Sequence, residues 1–278
     1  MIELTPENYY SLETDWEYMS FSQFKNFKEC EAKELARLKG EWEPAKKKST
    51  GADPLILGNY VHSYFESIVA HEAFVEANKK ELISSRGATK GKLKSSYQLA
   101  EEMIKTLDND KLFDFIYTPG KKEVIVTGQI NDHAWKGKID SLVLAKGYFC
   151  DLKTVDDIHK KHWDPANRIW TNFIEDRGYI MQAAIYQELI KQTFGKQCQP
   201  YLFAVSKQTP PDKGAFDFED TDTQYLMKEA LEEIKEKQDR FWQVMNGEVE
   251  PKHCGKCEYC RSMKELAAFQ HVTDIEVD

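Results

Sequence analysis

Hydrophobic and polar positions along the chain alternate between helix-like and strand-like spacing. Apolar residues recur every three to four positions over 20–38, 55–77 and 99–107, the spacing of amphipathic helices. Period-two or continuously apolar runs follow at 123–130, 135–144 and 148–155. They predict three consecutive strands. Helical spacing returns over 177–193, a buried strand is expected at 200–206 with an edge strand at 216–218, and a long helix over 222–246. Within the first helix Ser20 or Ser22 is the N-cap and Phe24, Phe27 and Leu35 form the apolar face. Leu57, Val61, Phe65, Ile68 and Val69 make the stripe of the second, which also carries His62 and Glu66 one turn apart. The stretch 158–172, with Trp163 and Trp170, has few apolar repeats and reads as a loop or short helix. The order predicts one α/β domain across residues 1–278, with a helical N-terminal part and a Cys-rich C-terminal tail.

The second and third strands hold the chemistry. If Lys146-Gly147 is a two-residue hairpin loop, Asp140 lies opposite Lys153 and Leu142 opposite Asp151, all on one sheet face. Two carboxylates beside a single ammonium on a buried face are costly, because one charge cannot neutralise both. A divalent cation relieves that cost, and oxygen ligands at this density suit Mg²⁺ or Mn²⁺. The same residues on a solvated hairpin would be an ordinary cross-strand ion pair. Glu123 is a reserve acidic ligand, expected to be exposed.

Four segments in chain order, Gly58-Asn59-Tyr60-Val61-His62, Gly137-Lys138-Ile139-Asp140, Asp151-Leu152-Lys153-Thr154 and Gln182-Ala183-Ala184-Ile185-Tyr186, resemble the PD-(D/E)xK nuclease superfamily. Within it they are similar to the RecB-type and RecE (exonuclease VIII)-like phage exonucleases. The likeness runs from about Ser20 to about Lys264. It implies a restriction-endonuclease-like fold, a central mixed sheet flanked by helices. It implies His62, Asp140 and Asp151 as metal ligands, Lys153 as the catalytic lysine, and Gln182 with Tyr186 as a supporting pair. It further implies a metal-dependent exonuclease acting 5′ to 3′ at the ends of linear double-stranded DNA, beside a single-strand annealing protein in phage-type recombination; a closed homo-oligomeric ring would suit processive degradation. A DNA-binding member without turnover and a site-specific endonuclease are the competing readings.

Net charge of −9 over 278 residues gives no general basic surface for phosphate, so DNA contact must be local. Lysines cluster at Lys46-Lys47-Lys48, Lys79-Lys80, Lys121-Lys122 and Lys160-Lys161. The Gly- and Ser-rich stretch 84–96, with Arg86, Lys90, Lys92 and Lys94, is the leading DNA-contact segment. No apolar run reaches membrane-span length and the N-terminus has no basic-then-apolar signal, so a cytoplasmic protein without membrane attachment is expected. Of six cysteines, Cys254, Cys257 and Cys260 form C-x-x-C-x-x-C near the C-terminus and a fourth, Cys30, belongs to the N-terminal helical part; Cys150 and Cys198 read as core residues. Wider relatives join the same two ends through an iron–sulfur cluster, but the last spacing here is shorter. Zn²⁺ on Cys30 and the trio, or on the trio and His253, is the alternative.

Overall fold

The computed structural model describes residues 1–44, 51–165, 167–266, 268–269 and 271–274; the Lys46-Lys47-Lys48 cluster lies outside them. Helices α1 (Leu12–Glu17), α2 (Phe21–Glu29), α3 (Glu31–Leu38), α4 (Pro54–Glu66), α5 (Ile68–Ala77), α6 (Lys79–Leu82), α7 (Gln98–Asp108) and α8 (Lys111–Ile116) precede the sheet. Strands β1 (Lys121–Ile130), β2 (His133–Val143) and β3 (Tyr148–Val155) follow, then the short β4 (His162–Asp164) and β5 (Ile169–Thr171), helices α9 (Phe173–Arg177) and α10 (Tyr179–Phe194), strands β6 (Gln199–Ser206) and β7 (Lys213–Asp217), and helices α11 (Thr221–Met245) and α12 (Glu258–Ser262).

Two helices expected to be continuous are broken. The Ser20 hydroxyl caps α2 by accepting the Gln23 N–H, and Phe24 and Phe27 are fully buried. The chain then turns extended at Cys30 (φ −166°, ψ 107°) before α3 begins. A tertiary contact accompanies this break: Ala32 N–H donates to Lys252 O at 3.1 Å, and Cys30 Sγ sits 3.6 Å from Cys260 Sγ. The second break is local. Ser67 is extended (φ −170°, ψ 160°) and its hydroxyl caps α5 through Ala70 N–H at 3.0 Å. Leu57 and Val61 are therefore core residues, whereas Ile68 and Val69, expected to extend the stripe, face solvent.

The main sheet has the order β1-β2-β3-β6-β7; β3 and β6 are parallel and the other pairs antiparallel. The parallel step requires a crossover, supplied through α9 and α10. Phe149 joins the core with Ile185, Leu189 and Phe241 from α10 and α11. Its neighbours Cys150 and Leu152 instead join Val61, Ile104 and Phe203 on the opposite face.

The hairpin register differs from expectation by two residues: Ser141 pairs with Cys150, Leu142 with Phe149 and Val143 with Tyr148. The connection is longer than two residues, a 3₁₀ turn (Leu144–Lys146) followed by Gly147 at φ 77°. A two-residue slip preserves side-chain facing, so Asp140 and Asp151 still meet; Leu142 is packed in the core. The stretch 158–172 is also corrected. It holds a two-stranded sheet with Trp163 paired to Trp170.

Candidate active site

Helix α4 supplies His62, β2 supplies Asp140, β3 supplies Asp151 and Lys153, and α10 supplies Gln182 and Tyr186. All six line one cleft of about 980 Å³. Two glycines bring the elements close enough. A Cβ on Gly58, one turn before His62, would lie 3.1 Å from Thr154 Oγ1 of β3, and one on Gly137 would lie 2.9 Å from two ring carbons of Tyr186. His62 Nδ1 is 3.6 Å from Asp140 Oδ2, which also accepts the Leu152 N–H at 2.8 Å. Lys153 Nζ lies 2.6 Å from Asp151 Oδ2 and 4.6 Å from the centre of the Tyr179 ring. Gln182 Nε2 donates to the Tyr186 hydroxyl at 3.0 Å.

Burial, and next the Asp151 charge, push the Asp140 carboxyl well above the usual carboxylate range. Burial, and next Lys153, lower the His62 pKa, leaving a neutral imidazole at neutral pH. For Lys153 burial acts downward, but the neighbouring Asp151 outweighs it and the pKa rises, so the ammonium stays charged. Asp151 Oδ2 is buried with no aligned hydrogen-bond donor; its partner is the Lys153 ion pair. A largely buried carboxylate whose partner is a single ammonium, a second carboxylate whose charge is disfavoured by burial and by that neighbour, and a neutral imidazole fit a divalent cation.

Other residues of the cleft carry weaker sequence signals. Glu123, expected to be exposed, lines the cleft beside Asp140 and is ion-paired with Lys138; its position between the pairs Lys122–Ser141 and Val124–Ile139 sets it opposite Asp140. Strand alternation was the available signal. Lys138 also sits 4.5 Å from the Tyr10 ring centre. Lys136 is 1% exposed and donates to Tyr9 O, Thr14 Oγ1 and Asp15 Oδ1 at 2.7–2.8 Å. These contacts join segments far apart in the chain, and no local pattern announces them. Arg86, Lys90 and Lys92 are exposed and Lys94 is half-buried; none of the four lines the cleft.

Cys30, Cys254, Cys257 and Cys260 converge with all four sulfurs within 4.8 Å of one another. Cys30–Cys260 and Cys254–Cys260 are separated by 3.6 and 3.9 Å, close to the edge of about 3.8 Å of a tetrahedron with zinc–sulfur bonds near 2.3 Å. His253 stands beside the set, its Nδ1 3.6 Å from Cys260 Sγ. Burial pushes the Cys260 thiol up to about 12. Burial acts upward on Cys254 too, but backbone N–H groups, that of Cys257 at 3.3 Å among them, bring it down to about 6. Cys150 and Cys198 are buried, as expected.

A mixed sheet with an aspartate on one strand, Asp-x-Lys on the next and a histidine from a covering helix places the chain among the PD-(D/E)xK nucleases, with a restriction-endonuclease-like fold. Residues 20–263 match the family described as a PDDEXK-like domain of unknown function (DUF3799), and the chain belongs to it. A crystal structure of a "putative exonuclease" from Eubacterium rectale is 33% identical, covers 99% of this chain and 98% of its own, and superposes with a TM-score of 0.85. The structure of SSO0001 aligns at 15% identity over 81% of this chain and 91% of its own with a TM-score of 0.29, at which no shared architecture follows. No curated protein matches the chain. Among the described residues no helix is long and apolar enough to cross a membrane.

Proposed function

We propose that this nuclease is a metal-dependent exonuclease that hydrolyses linear double-stranded DNA from its ends, with 5′ to 3′ polarity, in phage-type recombination. The observation carrying the reading is the meeting of His62, Asp140, Asp151 and Lys153 in one cleft, where two largely buried carboxylates share a single ammonium. His62, Asp140 and Asp151 would hold the ion, Mg²⁺ or Mn²⁺. When bound, such an ion polarises the scissile phosphate. Lys153, charged and braced by Tyr179, orients the attacking water or stabilises negative charge as it develops on phosphate oxygens. Gln182 fixes the Tyr186 hydroxyl, and Tyr186 seals the wall against Gly137. The likeness to a protein described as an exonuclease supports attack at ends; the polarity, an annealing-protein partner and a processive ring rest on the resemblance of the motifs. Arg86, Lys90, Lys92 and Lys94 are proposed as an outlying phosphate contact.

The test is Mg²⁺-dependent release of nucleotides from linear duplex labelled at either end. Loss of the 5′ label first, with covalently closed circles untouched, is expected. Cutting of closed circles would establish an endonuclease, and duplex binding without release an inactive member. The four thiols are proposed to hold one Zn²⁺, because their spacing suits a mononuclear tetrahedron and leaves no room for a multi-iron core; stoichiometric iron in purified protein would reverse this assignment.

A further inference from the structure

Among the described residues strands β4 and β5 pair only with each other, and a two-stranded hairpin is marginal in water. Trp163 and Trp170 face each other across it with ring centres 5.3 Å apart. A cross-strand aromatic pair stabilises a hairpin, but these indoles remain 48% and 63% exposed, and Ile169 beside them 52%. Exposed aromatic surface of this kind marks a site of contact. Lys160, Lys161 and Arg168 flank it, and none has an ion-pair partner among the described residues. The adjacent acids are engaged: Asp156 with Lys207 at 3.1 Å, Asp157 with the His159 N–H at 2.8 Å, and Asp164 with Asn167 Nδ2 at 2.8 Å.

A second hollow, of about 470 Å³, lies between this hairpin and the end of β3. Lys160, His162, Arg177 and Lys207 are on its walls. It adjoins the catalytic cleft: Leu55 lines both, and Tyr179 lines the hollow while its ring flanks Lys153.

We propose that the β4–β5 hairpin is a stacking platform for single-stranded DNA, with unpaired bases on Trp163 and Trp170 and phosphates against Lys160, Lys161 and Arg168. This rests on the nuclease reading. Duplex DNA hides its base faces, whereas a frayed end or the strand left after its complement is degraded presents them to aromatic rings beside basic side chains. The platform thus holds the unpaired tract next to the cleft where the other strand is cut.

The test uses the full chain in EDTA, so that binding is read without cleavage, and fluorescein-labelled oligothymidylate as probe. W163A/W170A should weaken binding by about fivefold or more for each base lost from an indole, while binding of a blunt duplex changes little. Because alanines could melt the hairpin, W163F/W170F and W163L/W170L accompany them: phenylalanine should restore affinity and leucine, apolar without a π-face, should not. K160Q should reduce the slope of log affinity against log salt by about 0.7, one phosphate contact. Equal affinity of parent and leucine variant for oligothymidylate would overturn the proposal. So would a change confined to self-association by sedimentation. Nucleotide release from duplex in Mg²⁺, measured separately on the parent, tests the nuclease reading; its absence would leave the binding result standing on its own.

Discussion

In the proposed site Asp151 serves the ion and Lys153 supplies charge, and substitutions should separate the two roles. Asp151→Asn removes a ligand charge at constant volume and should abolish Mg²⁺-dependent nucleotide release. Its effect on the metal-free fold has the opposite sign. The raised pKa of Asp140 contributes stability that is fully present below the ordinary carboxylate range and is lost as pH rises through the raised value. Burial is its first cause and Asp151 its second, so the variant in EDTA should melt at or above the parent temperature at neutral pH, by thermal denaturation. Lys153→Ala should lower turnover by about 10²–10³-fold while Mn²⁺ affinity, followed by calorimetry, stays close to that of the parent; a loss matching that of Asp151→Asn would make the lysine structural. The six motif residues were legible in the sequence because each sits in a short segment with its own spacing. Glu123 was legible as a reserve acid but not as a cleft residue, and Tyr179 and Lys136 were not, since their partners, Lys153 and the Tyr9–Asp15 segment, are distant in the chain.

Elements meet here through glycine. The Gly137 Cα faces the Tyr186 ring so closely that a methyl group would overlap two rigid aromatic carbons, and α10 would have to move away from β2. Gly137→Ala should therefore cost about 1–3 kcal/mol in urea denaturation and reduce activity by displacing the Gln182–Tyr186 pair, with the metal ligands chemically unchanged. Strand and helix types were readable from periodicity. The breaks at Cys30 and Ser67 were not, because one extended residue scarcely disturbs a helical spacing of apolar positions on either side. Only the solvent exposure of Ile68 and Val69 reveals that the stripe ends. The hairpin register was misjudged for a related reason: a 3₁₀ turn and a two-residue turn leave the same alternation in the strands.

For the whole molecule, Cys30 and Cys260 meet although 230 positions separate them. A shared ion there would tie the α2–α3 junction to the segment after α11, close to where Arg240 of α11 grips Glu31 at 2.8 Å. Cys257→Ser should lower the melting temperature, by about 2–4 °C for each kcal/mol lost. A strong chelator should reproduce that drop in the parent and add little in the variant, with elemental analysis confirming the loss of one metal per chain.

The connection between Asp140 and Asp151 is short, whereas β6, α4 and α10 join them only after long loops close. Local contacts form early in folding and distant ones late. The two carboxylates therefore come together while water still screens them, and their mutual repulsion becomes severe only when the covering helices dock. An unfavourable interaction absent at the barrier and present in the native state acts on escape rather than on entry. Asp140→Asn should accordingly slow unfolding of the metal-free protein severalfold in stopped-flow denaturant jumps and leave its refolding rate nearly unchanged; an equal change in refolding would place the meeting of the helices before the barrier.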